Sequence, residues 1–77
     1  MEIILVGGGK LIYHLAKKLI SKGHFITIIN KDRKLADDLA REIKATVVFG
    51  DAANKKVLED AGAYKADNLV SLTQKDH

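Results

Sequence analysis

The stretch MEIILVGGGKLIYHLAKKL, residues 1–19, decides the fold of this chain. A continuous apolar run at residues 3–6 stops at three glycines, residues 7–9. Such a run, ended by glycine, is typical of a strand that is buried on both faces, as in parallel sheets. Apolar residues then recur at helical spacing over 11–20, and Gly23 follows as a stop signal. The stretch therefore predicts a strand, a tight glycine turn and an amphipathic helix in direct succession.

The same alternation continues along the chain. Further strands are predicted at FITIIN (25–30), TVVFGD (46–51) and NLVSLT (68–73), and further helices at KDRKLADDLAREIKA (31–45) and NKKVLEDAG (54–62). The order β-α-β-α-β-α-β predicts an α/β fold with a Rossmann-like parallel sheet, an incomplete doubly wound fold. In that fold the fourth strand lies beside the first, opposite the second and third. We interpret residues 1–77 as a single Rossmann-like nucleotide-binding domain, which forms the N-terminal part of a larger domain.

Composition limits the function classes. Hydrophobic residues make up 47% of the chain and charged residues 30%, the balance of a soluble globular protein. Cysteine is absent, which excludes disulfides and thiolate metal sites. No apolar run is long enough to span a membrane, and no basic leader precedes the first strand, so we expect a cytoplasmic protein without membrane insertion.

The charged and titratable side chains do not form a recognisable reactive cluster. The net charge of +3 comes from 13 basic and 10 acidic residues that are spread along the chain, so we expect no nucleic-acid binding. The histidine and tyrosine residues do not pair at useful spacing, and no metal-binding constellation occurs. We therefore expect no catalytic residues and no metal site.

The glycine turn has the position of a dinucleotide-binding site. In the fingerprint G-x-G-x-x-G, the first glycine permits the tight turn and the second lets the backbone approach a pyrophosphate. Gly7, Gly8 and Gly9 keep both functions, whereas Ile12 stands where the last glycine is expected. The phosphate would lie at the helix N-terminus, near Lys10. The alternatives are a tight turn without a ligand and a solvated lysine.

The end of the second predicted strand is the expected ribose site. An acidic residue usually stands there, about 20 residues beyond the glycines. This chain has Asn30, which can still hold a ribose hydroxyl, followed by Lys31 and Arg33, which could meet a 2′-phosphate. NADP or a simple adenine nucleotide thus becomes as plausible as NAD. The alternative is a turn in which Asn30 and Asp32 cap the next helix.

The remaining candidates follow the other strands. Ligands of open α/β sheets bind at the carboxyl ends of the strands. Asp51 and Ala52 should line the adenine side, Thr73 should face the glycine turn, and Leu11 directly follows Lys10. Alternatively, Asp51 is a turn residue.

Four segments together resemble one family. They are IILVGGGKLIYHLAKKL, GHFITIINKD, ATVVFGDA and VLEDAGAYKADNLVSLT. They resemble the TrkA N-terminal (RCK/KTN) nucleotide-binding domain family of potassium channel and transporter regulators. The most particular parts are GDA after the third strand and the run LEDAG…ADNLVSLT.

The resemblance implies a cytoplasmic regulatory domain, not an enzyme, that binds NAD(H), AMP, ADP or ATP. It implies control of a membrane-embedded potassium channel or transporter subunit at the inner face of the membrane, and assembly as a dimer or larger homo-oligomer. Gly7, Gly8, Gly9 and Lys10 would lie at the phosphate, while Asp51, Ala52 and Thr73 would line the rim. Asn30 replaces the family's usual aspartate at the ribose, and Ile12 replaces its glycine.

Two other functions stay open at this stage. The chain could be the N-terminal cofactor-binding half of an NAD(P)-dependent oxidoreductase. It could also be a degenerate Rossmann-like module that serves protein contacts alone. The fold does not decide among the three.

Overall fold

The structure is a computed structural model that describes residues 1–7 and 10–72. The candidate residues Gly8, Gly9 and Thr73 lie outside the described residues. The elements are β1 (Glu2–Gly7), α1 (Lys10–Ser21), β2 (Phe25–Asn30), α2 (Arg33–Glu42), β3 (Thr46–Phe49), α3 (Lys55–Asp60), a 3₁₀ turn (Ala63–Lys65) and β4 (Asn68–Leu72). The predicted order of strands and helices is confirmed, and the chain has the expected Rossmann-like α/β fold.

The strands form one parallel sheet in the order β3-β2-β1-β4. The register places Val6 beside Ile29 and Asn30 beside Phe49, while Gly7 pairs with Leu72. The fourth strand lies beside the first, as the doubly wound order predicts. All carboxyl ends of the strands consequently meet at one edge of the sheet.

The two central strands are buried on both faces, as their uninterrupted apolar runs predict. On one face, Leu5 and Ile28 pack in a cluster with Ile12 and Ala16 of α1 and Leu39 of α2. The opposite face buries Ile4 and Ile29, which are no more than 2% exposed. Ile12, which replaces the last glycine of the fingerprint, is fully buried and therefore belongs to the core.

Side-chain caps fix where the second and third helices begin. The carboxylate of Asp32 accepts hydrogen bonds from the backbone N–H groups of Lys34 and Leu35. Asn54 accepts one from the N–H of Lys56. Both residues have extended backbone angles, as N-caps do.

Three residues of the predicted helical stripes depart from the pattern. Leu11 continues the helical spacing of the apolar residues of α1 but is 63% exposed, in the first turn of the helix. Leu35 has the same place in α2 and is also exposed. Ile43, within the predicted helix 31–45, is buried but follows α2 as an extended C-cap residue.

At the other end of the sheet, the chain is tied by a reciprocal pair of hydrogen bonds. The N–H of Glu2 donates to a carboxylate oxygen of Asp67 at 2.8 Å, and the N–H of Asp67 donates to the carbonyl of Glu2 at 2.8 Å. This pair aligns the start of β4 with the start of β1. None of the helices within residues 1–7 and 10–72 has the length and apolar character that crossing a membrane requires.

Gly50 lets α3 pack close to the end of β3. A Cβ atom at this position would lie 2.7 Å from Cγ2 of Val57. Its N–H also donates to the carbonyl of Asn30 at 2.9 Å, so the loop after β3 is held to the end of β2. The contact leaves no room for a larger residue unless α3 moves.

The Gly50→Ala substitution should therefore destabilise the domain by about 1–3 kcal/mol, the usual cost of overpacking, in addition to the backbone strain of a residue with φ of +156°. Urea unfolding measures this free energy. The matched control is Gly23→Ala, because Gly23 has φ of +88° and no atom within 4 Å of the added methyl, so its cost is backbone strain alone.

The double variant Gly50→Ala/Val57→Ala should recover part of the loss that the Gly50→Ala change causes, which a double-mutant cycle reports as a favourable coupling. Equal losses for Gly50→Ala and Gly23→Ala, without coupling to Val57, would contradict this explanation.

Candidate functional site

The predicted site residues lie along the carboxyl edge of the sheet. β1 ends at Gly7, β2 at Asn30 and β3 at Phe49, and these strands are neighbours in the sheet. The loops after β2 and β3 emerge on this side, and α1 begins at Lys10. This is the edge where open α/β sheets bind ligands.

The glycine turn begins at Gly7, which is half-buried and has φ of +133°. A residue with a Cβ atom rarely adopts this angle, so glycine is required there. Lys10 is the first residue of α1 and is exposed, and no acidic residue occurs in the first turn of that helix. The positive end of the helix dipole and the ammonium group thus lie together, an arrangement that an anion would stabilise. Leu11 presents an exposed apolar side chain next to them.

Asn30 is the buried polar residue of the described chain, only 5% exposed. Its Nδ2 donates to the carbonyl oxygen of Gly7 at 2.8 Å, and its Oδ1 accepts from the N–H of Asp32 at 2.8 Å. The side chain therefore connects the glycine turn to the turn before α2. Of the ribose site and the helix-capping turn that the sequence left open, these contacts agree with the turn in which Asn30 and Asp32 cap the next helix.

The two cations predicted for this edge are both exposed. Lys31 directly follows β2, and Arg33 is the first residue of α2. The guanidinium carbon of Arg33 lies 5.4 Å from the ring centroid of Phe49, a cation–π contact. Phe49 is half exposed, and sequence reasoning did not select it. The available signal was an aromatic residue at the end of the third strand, directly before GDA.

Asp51 and Ala52 occupy the loop between β3 and α3. Asp51 is exposed, and its Oδ1 accepts from the N–H of Ala53 at 2.9 Å, while its carbonyl accepts from the N–H of Asn54 at 2.9 Å. The carboxylate thus shapes this loop and keeps acceptor capacity on its second oxygen. Ala52 is half-buried beside it.

Most of the described candidates thus belong to one connected edge. Asn30 contacts Gly7 directly and holds the loop of Asp51 through the N–H of Gly50. Lys10 and Leu11 continue from the glycine turn, and Lys31 and Arg33 from Asn30. The edge combines free cations, a helix N-terminus and an exposed aromatic ring, which suits an anionic, ring-bearing ligand such as a nucleotide.

A separate groove lies at the opposite, amino-terminal edge of the sheet. It runs between the ends of α1 and α2, and its lining carries charges of both signs, including Glu2, Arg41 and Lys44. The residues that line it include no helix N-terminus, so we place the candidate site at the carboxyl edge. In the described parts of the chain, no three His, Asp or Glu side chains lie close enough to hold a metal ion.

Comparison with known proteins gives a consistent result. The family model of the TrkA-N domain matches residues 3–77. The chain is 37% identical over 76 residues to the Trk system potassium uptake protein TrkA homolog of Pyrococcus abyssi, and these residues cover 99% of this chain and 34% of the relative. It is 36% identical over 76 residues to the Trk system potassium uptake protein TrkA of Haemophilus influenzae, covering 99% of this chain and 17% of the relative.

The chain therefore spans between about a third and a sixth of the length of these relatives. The family match, by contrast, extends over nearly all of its own residues and includes every strand and helix described above apart from Glu2, the first residue of β1. On this evidence the chain belongs to the TrkA-N domain family.

Proposed function

We propose that this chain is a regulatory domain of potassium uptake that binds an adenine nucleotide at the carboxyl edge of its sheet. The proposal rests on one coincidence, between the family match and the geometry at the end of β1. The TrkA-N family model matches nearly the whole chain, and Gly7 leads toward a helix whose first residue is an exposed cation, Lys10. The relatives' names associate this kind of chain with potassium uptake.

The residues of the edge fit an adenine nucleotide in a definite order. The phosphates would lie at the glycine sequence Gly7, Gly8 and Gly9 and beside Lys10 and Leu11. The ribose lies near Asn30, and Lys31 and Arg33 would bind a 2′-phosphate where the nucleotide carries one. Asp51, Ala52 and Thr73 form the opposite rim. NAD(H), AMP, ADP, ATP and NADP share the adenosine phosphate that these residues would contact.

The binding would act on a partner rather than lead to a reaction. We place the domain in the cytoplasm, at the inner face of the membrane, in contact with a membrane-embedded potassium channel or transporter subunit. Ligand occupancy changes the partner's activity because nucleotide contacts at the edge couple the loops after β1, β2 and β3. The domain itself is not an enzyme.

A panel of AMP, ADP, ATP, NADH and NADPH tests the binding. We expect stabilisation by an adenine nucleotide in thermal unfolding, with affinities for NADH and ADP that differ by less than tenfold, about 1.4 kcal/mol. The reason is that NADH and ADP share the adenosine phosphate that the edge residues would contact, and the uncharged side chain of Asn30 adds no preference between them. Absence of stabilisation by all five compounds would favour the protein-interaction module, and a strong preference for NADH would contradict the expected tolerance.

Lys10→Ala should weaken ADP and ATP more than adenosine, because the ammonium group acts on phosphate. The difference should shrink at high salt, which screens exposed charges. Isothermal titration measures both effects. The matched control is Lys18→Ala, which removes the same charge from the last turn of α1. Equal weakening of all three ligands would mean that Lys10 is a solvated side chain that does not contact the phosphate.

We further propose that the domain works as a dimer or larger homo-oligomer. β4 is an edge of the sheet that the described residues form, and Leu69 on this strand is 50% exposed. Edge strands with apolar side chains are usually covered in natural proteins, by a second copy of the chain or by further strands of the same domain, and we propose the second copy here.

Sedimentation at micromolar concentration should give a mass above the 8.4 kDa of one chain. Leu69→Lys should shift the distribution toward monomer, since a charge at an edge opposes pairing. The matched control is Phe25→Lys, because Phe25 is also exposed but lies on a central strand. A monomeric chain at this concentration would contradict the proposal.

A further inference from the structure

Asn30 occupies a special place because it is buried and polar at the same time. A buried carboxamide that lacks partners costs free energy, so its contacts are expected to define its role. Its side chain bonds Gly7 and Asp32, and its own carbonyl accepts from the N–H of Gly50. One residue thereby joins the loops that follow β1, β2 and β3.

The direction of each side-chain hydrogen bond is fixed by the partner. The carbonyl of Gly7 can only accept, and the N–H of Asp32 can only donate. The carboxamide must therefore direct Nδ2 to Gly7 and Oδ1 to Asp32, and the reverse orientation would lose both bonds. Both contacts measure 2.8 Å, within the normal range for such bonds.

An asparagine fits this place and a carboxylate does not. An ionised aspartate has the same shape but no proton to donate, so one oxygen would lie against the carbonyl oxygen of Gly7. In a buried position that contact is unfavourable. The acidic residue that many sheets of this kind use to bind ribose is therefore incompatible with the contacts that Asn30 makes here.

We propose that Asn30 is a positioning residue that holds the carbonyl of Gly7, the last residue of β1, and so fixes where the chain leaves this strand toward the proposed phosphate site. Its role in recognition is indirect, because its carboxamide is oriented by the chain and not by the ribose. The site accordingly does not discriminate between NADH and NADPH through residue 30. The inference rests on the proposed nucleotide site, but the contact itself can be tested without a nucleotide.

The first experiment is urea unfolding of Asn30→Asp between about pH 5 and 7.5, above the ordinary pKa of an aspartate, about 3.9. Protonated, the new carboxyl group can donate to Gly7 as the amide does, so its pKa in the folded state is raised. The variant should then lose stability as the pH rises. We expect its unfolding equilibrium constant, relative to that of the original chain, to increase at least tenfold over this interval.

The matched control is Asn54→Asp. Asn54 is also an extended residue before a helix, but its side chain only accepts, from the N–H of Lys56, and it is exposed. A carboxylate serves equally well as such an N-cap, so the control should lose no stability with rising pH. The same pH dependence in both variants, or none in Asn30→Asp, would overturn the proposal.

The second experiment measures nucleotide affinity of Asn30→Asp at pH 7.5. A positioning role predicts that ADP, NADH and NADPH are weakened by the same factor, because all three use the glycine turn. A gain for NADH relative to NADPH would overturn the proposal, since it would mean that residue 30 contacts the ribose. If the original chain binds no nucleotide, the proposed function fails, while the urea measurement still decides whether the contact exists.

If Asn30→Asp does not fold at either pH, the original chain supplies the test. The carboxamide protons of Asn30 should exchange with solvent at least tenfold more slowly than those of Asn54, because one of them is held by Gly7 and the group is buried. Equal exchange rates for the two carboxamides would overturn the proposal.

Discussion

The structure depends on the parallel pairing of β1 with β2. Parallel neighbours cannot be joined by a short hairpin, so α1 has to cross over the sheet and bury its apolar stripe on the way. Ile12 and Ala16 meet Leu5 and Ile28 for this reason. The same pairing brings Gly7 and Asn30 together, because both are the last residues of parallel strands. The core and the candidate site are thus consequences of one arrangement.

Residues at the carboxyl edge of the sheet have two different roles. Asn30, Gly50 and the carboxylate of Asp51 form hydrogen bonds within the chain and fix the paths of the loops. Lys10 and Lys31 remain exposed and are available to a ligand. A rigid inner layer beneath a charged outer layer is what a binding site needs, because preorganised groups lose little conformational entropy when the ligand arrives.

Sequence reasoning predicted the architecture more completely than the site. The spacing of the apolar residues and the residues that begin and end elements were sufficient to predict the strands and helices. Apolar runs and helix caps such as Asp32 and Asn54 depend on the local sequence alone. The exposure of Leu11 was missed because helical phase does not indicate where the supporting sheet ends. The bond from Asn30 to Gly7 joins residues 23 positions apart, and no local pattern reports such a contact. Phe49 was missed because its importance comes from Arg33, a neighbour only in space.

The reciprocal hydrogen bonds between Glu2 and Asp67 have a consequence for folding kinetics. They join residues 65 positions apart, whereas the contacts of β1 with β2 and of β2 with β3 close loops of about 20 residues. Closing a longer loop costs more chain entropy, and topologies with distant contacts fold more slowly. The first three strands can therefore assemble by successive short closures, and the fourth joins a surface that already exists. The edge that carries Leu69 is in this sense the last part of the described sheet to be acquired.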